Sequence, residues 1–180
     1  MNKNSVYIAK SLDGYIADKN GGIDWLNAIP NPENEDMGYA DFMNRIDAIV
    51  MGRGTFDVVM SFDMEWPYQK PVFVLSNSLK KVPEKLIGKL EILSGSLTEV
   101  IGTIHNKGHK KLYIDGGKTV QNFLKENLID ELILTTIPIL LGGGIPLFGE
   151  LPQPIELLHV ESKVFLNAIV QDSYRIKLTC

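Results

Sequence analysis

Short apolar runs separated by polar breaks set the pattern of this chain. Val6 to Ala9, Ala48 to Met51, Pro71 to Leu75, Leu90 to Leu93 and Lys111 to Asp115 are four or five residues long and bounded by turn residues. That length and those flanks predict buried strands. Between them the period changes. Tyr39, Phe42, Met43 and Ile46 fall at helical spacing, and Phe56 to Met60 starts a helix after Gly52-Arg53-Gly54-Thr55. Thr98 to His105 puts Val100, Ile101 and Ile104 on one face, and Thr119 to Asn127 does the same with Val120, Phe123 and Leu124. The loop with Pro30, Pro32, Glu33, Glu35 and Asp36 leads into the first helix, since acids favour a helix N-terminus.

After Asp130 the pattern turns β-rich. Glu131 to Ile137 is one long run, and Ile155 to Val164 with Ala168 to Lys177 reads as a hairpin turning at Leu166-Asn167. Strands that alternate with helices and then pair antiparallel predict an α/β domain over residues 1–180. Its sheet is mixed and mostly parallel, with a C-terminal antiparallel hairpin.

Composition narrows the function classes. The 180 residues are 44% hydrophobic and 22% charged, which fits a folded domain with a full core. A net charge of −4 argues against nucleic acid as the partner. The single cysteine, Cys180, excludes a disulfide framework and a cysteine-based zinc site, and fits a reducing, cytoplasmic compartment. His105, His109 and His159 show no metal-ligand spacing, so no metal is expected. No run approaches the roughly 20 apolar residues of a membrane helix.

Three strand ends carry candidate chemistry. At Met51-Gly52-Arg53-Gly54-Thr55 a glycine permits close backbone approach, Arg53 can fork onto a phosphate and Thr55 can cap the next helix or donate to a phosphate oxygen. The alternative is a turn with a capping threonine and a solvated arginine. Ile114-Asp115-Gly116-Gly117-Lys118-Thr119 is a second strand–glycine–helix junction, able to hold a pyrophosphate or simply to turn. Leu75-Ser76-Asn77-Ser78, with Lys80 and Lys81 close by, could hold a ribose phosphate or form a polar turn. Neither glycine junction completes G-x-G-x-x-G or a P-loop.

The order of these junctions resembles the dihydrofolate reductase-like superfamily from Val6 to Leu124. Ser11-Leu12-Asp13-Gly14, Asp130-Glu131-Leu132 and the segment Ile137 to Phe148 with its triple glycine resemble the riboflavin-pathway reductase domain, the RibD C-terminal family. Asp115 stands where that domain usually has Glu, and Gly54 replaces a residue that usually has a side chain.

The resemblance implies a dihydrofolate reductase-like three-layer α/β/α fold, bound NADPH and reduction of a pyrimidine- or pteridine-like small molecule in a homodimer. Ala9 and Ile16 would border the nicotinamide. Gly52, Arg53 and Thr55 would hold the pyrophosphate and adenosine side, and Gly116, Gly117, Lys118 and Thr119 the pyrophosphate. Ser76 and Ser78 would sit by the 2′-phosphate, and Asp13 and Trp25 by the substrate. Dihydrofolate reductases place a buried acid on the helix before the Met-Gly-Arg strand. Glu35, Asp36 and Asp41 compete for that role; Asp36 has the best spacing to Gly52, whereas Phe42 favours a register with Gly38 there. Alternatives are a true dihydrofolate reductase, a non-catalytic NADPH-binding module, and a structural dimer that pairs strands such as Leu132 to Leu141 across subunits.

Overall fold

The computed structural model describes residues 2–62 and 64–177, so Cys180 lies outside the described residues. The elements follow in the order β1 (Lys3–Ser11), β2 (Tyr15–Ala17), α1 (Tyr39–Asn44), β3 (Ala48–Gly52), α2 (Arg53–Ser61), β4 (Val72–Leu75), β5 (Leu90–Leu93), α3 (Leu97–Asn106), β6 (Lys111–Asp115), α4 (Gly117–Lys125), β7 (Glu131–Ile137), β8 (Ile145–Pro146), β9 (Leu157–Phe165) and β10 (Ile169–Ile176). Short 3-10 helices at Asp24–Asn27 and Glu84–Leu86 interrupt the loops.

The period-2 alternation of the strands divides the core in two, because successive side chains leave a strand on opposite faces. Val6, Ala48, Val50, Leu112, Ile114, Leu132 and Leu134 face α3 and α4, where Val100, Ile104, Val120 and Phe123 cover them. Ile49, Met51, Val72, Val74, Tyr113 and Ile133 face the other way, onto Phe42 of α1 and Phe56 of α2. The continuous apolar runs are thus strands covered on both sides, a three-layer α/β/α arrangement.

The main sheet has the order β5-β4-β3-β6-β1-β7-β10-β9. β5 through β7 run parallel, and β10 is antiparallel to both β7 and β9. The C-terminal hairpin turns at Leu166 and Asn167, with φ of 52° and 54°. Two positive φ values are what a tight hairpin needs to match the strand twist.

β7 does not offer itself to a second chain. It pairs with β1 on one side and β10 on the other, so its backbone groups are used within the chain. The edge strands of the sheet are β5 and β9. β2 and β8, far apart in sequence, form a separate two-stranded ribbon. After β3 the chain runs outward through β4 and β5, then returns to insert β6 between β3 and β1. The ends of β1, β3 and β6 therefore converge at a reversal of strand order, where open α/β sheets form a crevice.

Candidate active site

Two helices begin at that crevice. α2 starts directly after β3 and α4 directly after β6, and neither N-terminus has a side-chain cap. α3, which starts away from the crevice, has a full capping box between Ser96 and Glu99. Uncapped first-turn N–H groups with a helix dipole behind them suit an anion. The two starts also interlock. A Cβ on Gly116, whose φ is +90°, would overlap the Thr55 hydroxyl of α2, and a Cβ on Gly52 would stand 2.7 Å from Thr119 Oγ1 of α4. A Cβ on Gly117 would lie 2.7 Å from Ile16 Cδ1 and 3.2 Å from the Pro146 carbonyl of the β2–β8 ribbon. These glycines let both helix starts and the ribbon meet around one cleft.

The cleft encloses about 510 Å³. Ala9, Ile16, Gly52, Thr55, Gly116, Gly117, Lys118 and Thr119 all line it, so the structure gathers eight of the predicted cofactor residues around one cleft. Asp115 lines it too. Burial pushes its carboxyl up to about 6, although the Gly116 N–H and the Tyr113 hydroxyl favour the anion.

Other predicted residues lie elsewhere. Arg53 is on the first turn of α2, but its guanidinium Nε donates to both carboxylate oxygens of Asp57, at 2.6 and 2.8 Å, along the helix surface. Ser76 follows Leu75, the register partner of Gly52, so it stands beside the crevice without lining it. Its Oγ accepts from the backbone N–H groups of Ser78 and Leu79, which makes the Ser76–Ser78 segment a polar turn.

The predicted substrate contacts are corrected. Asp36 is exposed, and its carboxylate accepts from the N–H groups of Gly38 and Ala40 at the start of α1, which hold its pKa below the usual range. A solvated capping acid is not a buried proton relay. Asp13 is exposed as well. It accepts from Ser11 Oγ, Leu141 N and Gly142 N, tying the loop after β1 to the loop after β7. Trp25 points inward from its 3-10 helix onto Ile137 and Ile169, while Ile23 and Leu26 on either side face the cleft. In the triple glycine, a Cβ on Gly144 would collide with the Ala17 carbonyl, so close backbone packing explains that position.

The cleft is also lined by residues that sequence reasoning missed: Ile23, Leu26, Val58, Val59 and Phe62. Val58 and Val59 lie on α2 and Phe62 is its C-cap residue, and nothing in the local spacing marks them as cleft residues.

The sequence model of the RibD C-terminal domain family matches residues 5–170. The chain belongs to the RibD C-terminal domain family. Among its relatives is the uncharacterized protein YwjB of Bacillus subtilis, 36% identical over 169 residues, which are 93% of this chain and 94% of YwjB. A crystal structure from Shewanella sp. PV-4, of a protein given a provisional riboflavin-biosynthesis name, is 52% identical, with a TM-score of 0.95 over 99% of this chain and 100% of that one. Dihydrofolate reductase from Enterococcus faecalis, solved with NADP(H), shares the fold with a TM-score of 0.67 at 17% identity, over 97% of this chain and 96% of that one. The chain thus has a dihydrofolate reductase-like fold.

Proposed function

We propose that this chain is an NADPH-dependent reductase of a pyrimidine- or pteridine-like ring. The observation that carries the reading is the pair of uncapped helix starts interlocked through Gly52–Thr119 and Gly116–Thr55, with the partly buried acid Asp115 one residue before Gly116.

The residues present fit the cofactor. First-turn N–H groups of α2 and α4, with Thr55, Thr119 and Lys118, would hold its diphosphate. Ala9 and Ile16 would flank the nicotinamide, and the polar turn at Ser76 and Ser78 would lie toward the ribose phosphate. NADPH, when bound, supplies the hydride. Asp115 would bind and orient the acceptor ring at the end of β6 and manage its proton. A carboxyl poised near pH 6 can hold a proton or release it close to neutrality. The apolar walls exclude water. A homodimer is part of the same reading, with the free β9 edge as its contact.

Steady-state loss of NADPH absorbance against a panel of aminopyrimidines and pterins tests the assignment. Turnover of one ring class, abolished by Asp115→Ala, is the expected result. Saturable NADPH binding with no oxidation by any of them contradicts it and leaves a binding module.

A further inference from the structure

We infer that the chain carries a second small-molecule site, at the amino ends of β4 and β5, for a ligand with one anionic head on an apolar body. A cavity of about 630 Å³ lies there, and Met60, Phe62, Trp66, Lys85, Leu86 and Lys89 are among its lining residues. The cleft described above lies at the other end of the sheet, beyond β1, β3 and β6. α2 runs back from that end to the segment that starts β4, and Val59 and Phe62 near its close line both cavities. The second site does not depend on the reductase reading.

The cations stand on a held backbone. Leu86 of the short 3-10 helix is buried in the core with Val72 and Leu90, which anchors the loop. Lys89 N donates to the Leu86 carbonyl at 3.0 Å, and the Lys89 carbonyl accepts from Val72 N at 3.3 Å. Lys85 and Lys89 are both exposed, and among the described residues neither is in an ion pair. Residues 68–90 hold five lysines and one acid, although the whole chain has a net charge of −4. Positive charge gathered in one stretch of an acidic chain attracts an anion to that surface. Glu65 lines the cavity as well, and one carboxylate beside two lysines suits a single anionic head better than a polyanion.

The walls favour an apolar body. Phe62 is 40% exposed, and Met60 and Leu86 extend the apolar lining. Trp66 adds a flat aromatic side chain and a donor: its Nε1–H is buried and has no acceptor among the described residues. A buried donor without a partner calls for an acceptor from outside the chain, which an anionic head would supply. Apolar walls with a few convergent polar groups are the usual make-up of a small-molecule site.

Indole N–H signals in NMR spectra read the site directly, with Trp66→Phe assigning the two tryptophans. Trp25, which packs on Ile137 and Ile169 in another part of the core, is the internal reference. The probes are naphthoate, naphthyl phosphate and the matching neutral alcohol, naphthylmethanol. At least one of the two anions should shift the Trp66 signal saturably and leave Trp25 in place, and which of them binds tighter names the head as carboxylate or phosphate. Naphthylmethanol should bind about tenfold more weakly or worse. Lys85→Gln with Lys89→Gln, both at exposed positions, should weaken the bound anion about tenfold in protein with an unchanged melting temperature. An alcohol that binds as tightly as the anions overturns the inference, as does an unchanged affinity in the double variant. A shift at Trp25 with none at Trp66, or no shift at either tryptophan with any probe, overturns it as well.

Discussion

Gly52 at the end of β3 lies so close to Thr119 of α4 that a Cβ on it would stand 2.7 Å from the threonine hydroxyl. The backbone there, φ −78° and ψ 166°, is open to any residue, so the glycine is required by space and not by conformation. Gly116 is the counterpart on the other strand: its φ of +90° and its contact with Thr55 exclude a side chain on both grounds.

Gly52→Ala should therefore destabilise the protein by about 1–3 kcal/mol through overpacking and weaken NADPH binding. Thr119→Ala in the same background should recover part of the stability, with a coupling of more than about 0.5 kcal/mol between the two sites. Denaturant midpoints for both single variants and the double variant measure it. Strict additivity would show that the helix starts do not interlock.

Asp115 predicts a pH dependence of stability. Its carboxyl is raised to about 6 from 3.8 by burial, so the unfolded chain gives up the proton first. Between those values the native state binds more protons, and this group's contribution to stability falls as pH rises, then levels off above about 6. Asp115→Asn should be more stable than wild type by about 1–3 kcal/mol near pH 7, with the gap closing toward pH 4. Urea midpoints across that range check it.

If the protonated carboxyl assists the reaction, the turnover of wild type falls as pH rises through about 6. The Asp115→Asn profile should lack that limb. A limb retained in the variant would assign the titration to another group.

Glu131 sits at the start of β7, with Lys3 Nζ at 3.0 Å, Arg45 Nη1 at 3.1 Å and Ser5 Oγ donating at 2.9 Å. Burial raises its pKa, but Lys3, Ser5 and Arg45 outweigh burial and leave it below 4.5. Its stabilisation is present above that value and lost as pH falls through the lowered pKa. Glu131→Gln should cost about 1–3 kcal/mol near neutral pH and little in acid, read from thermal unfolding at both.

The β9 edge predicts self-association. Leu158, Val160 and Val164 are 52%, 50% and 65% exposed on a nine-residue strand paired on one side only. Exposed apolar edges of that length recruit another strand. Sedimentation equilibrium should show a dimer that Val160→Lys with Val164→Lys shifts to monomer while NADPH binding is kept. A wild-type monomer at high concentration would remove this contact.

How much was legible beforehand follows from the range of the interactions involved. Ile49-Val50-Met51 announces a doubly covered strand because both neighbours of each residue are apolar, and the glycine junctions announce the cleft because a strand, a turn and a helix are local signals. The acid was not local. Tyr7 Oη donates to the Met37 carbonyl, and Gln171 Nε2 reaches the same oxygen from β10. These contacts fix the path of the loop before α1 and leave Asp36 in solvent. Trp25 was misplaced by one turn of a 3-10 helix that spacing does not reveal, and Asp13 is explained by Leu141 and Gly142, more than a hundred residues away.

Calorimetric titration of NADPH and NADH onto wild type and Gly116→Ala tests the central claim, that a dinucleotide sits where α2 and α4 begin. The account predicts saturable one-to-one binding that favours NADPH and is weakened about tenfold or more by Gly116→Ala in protein that remains folded. Folded wild-type protein that binds neither dinucleotide, or a Gly116→Ala variant that binds NADPH as tightly as wild type, would contradict it.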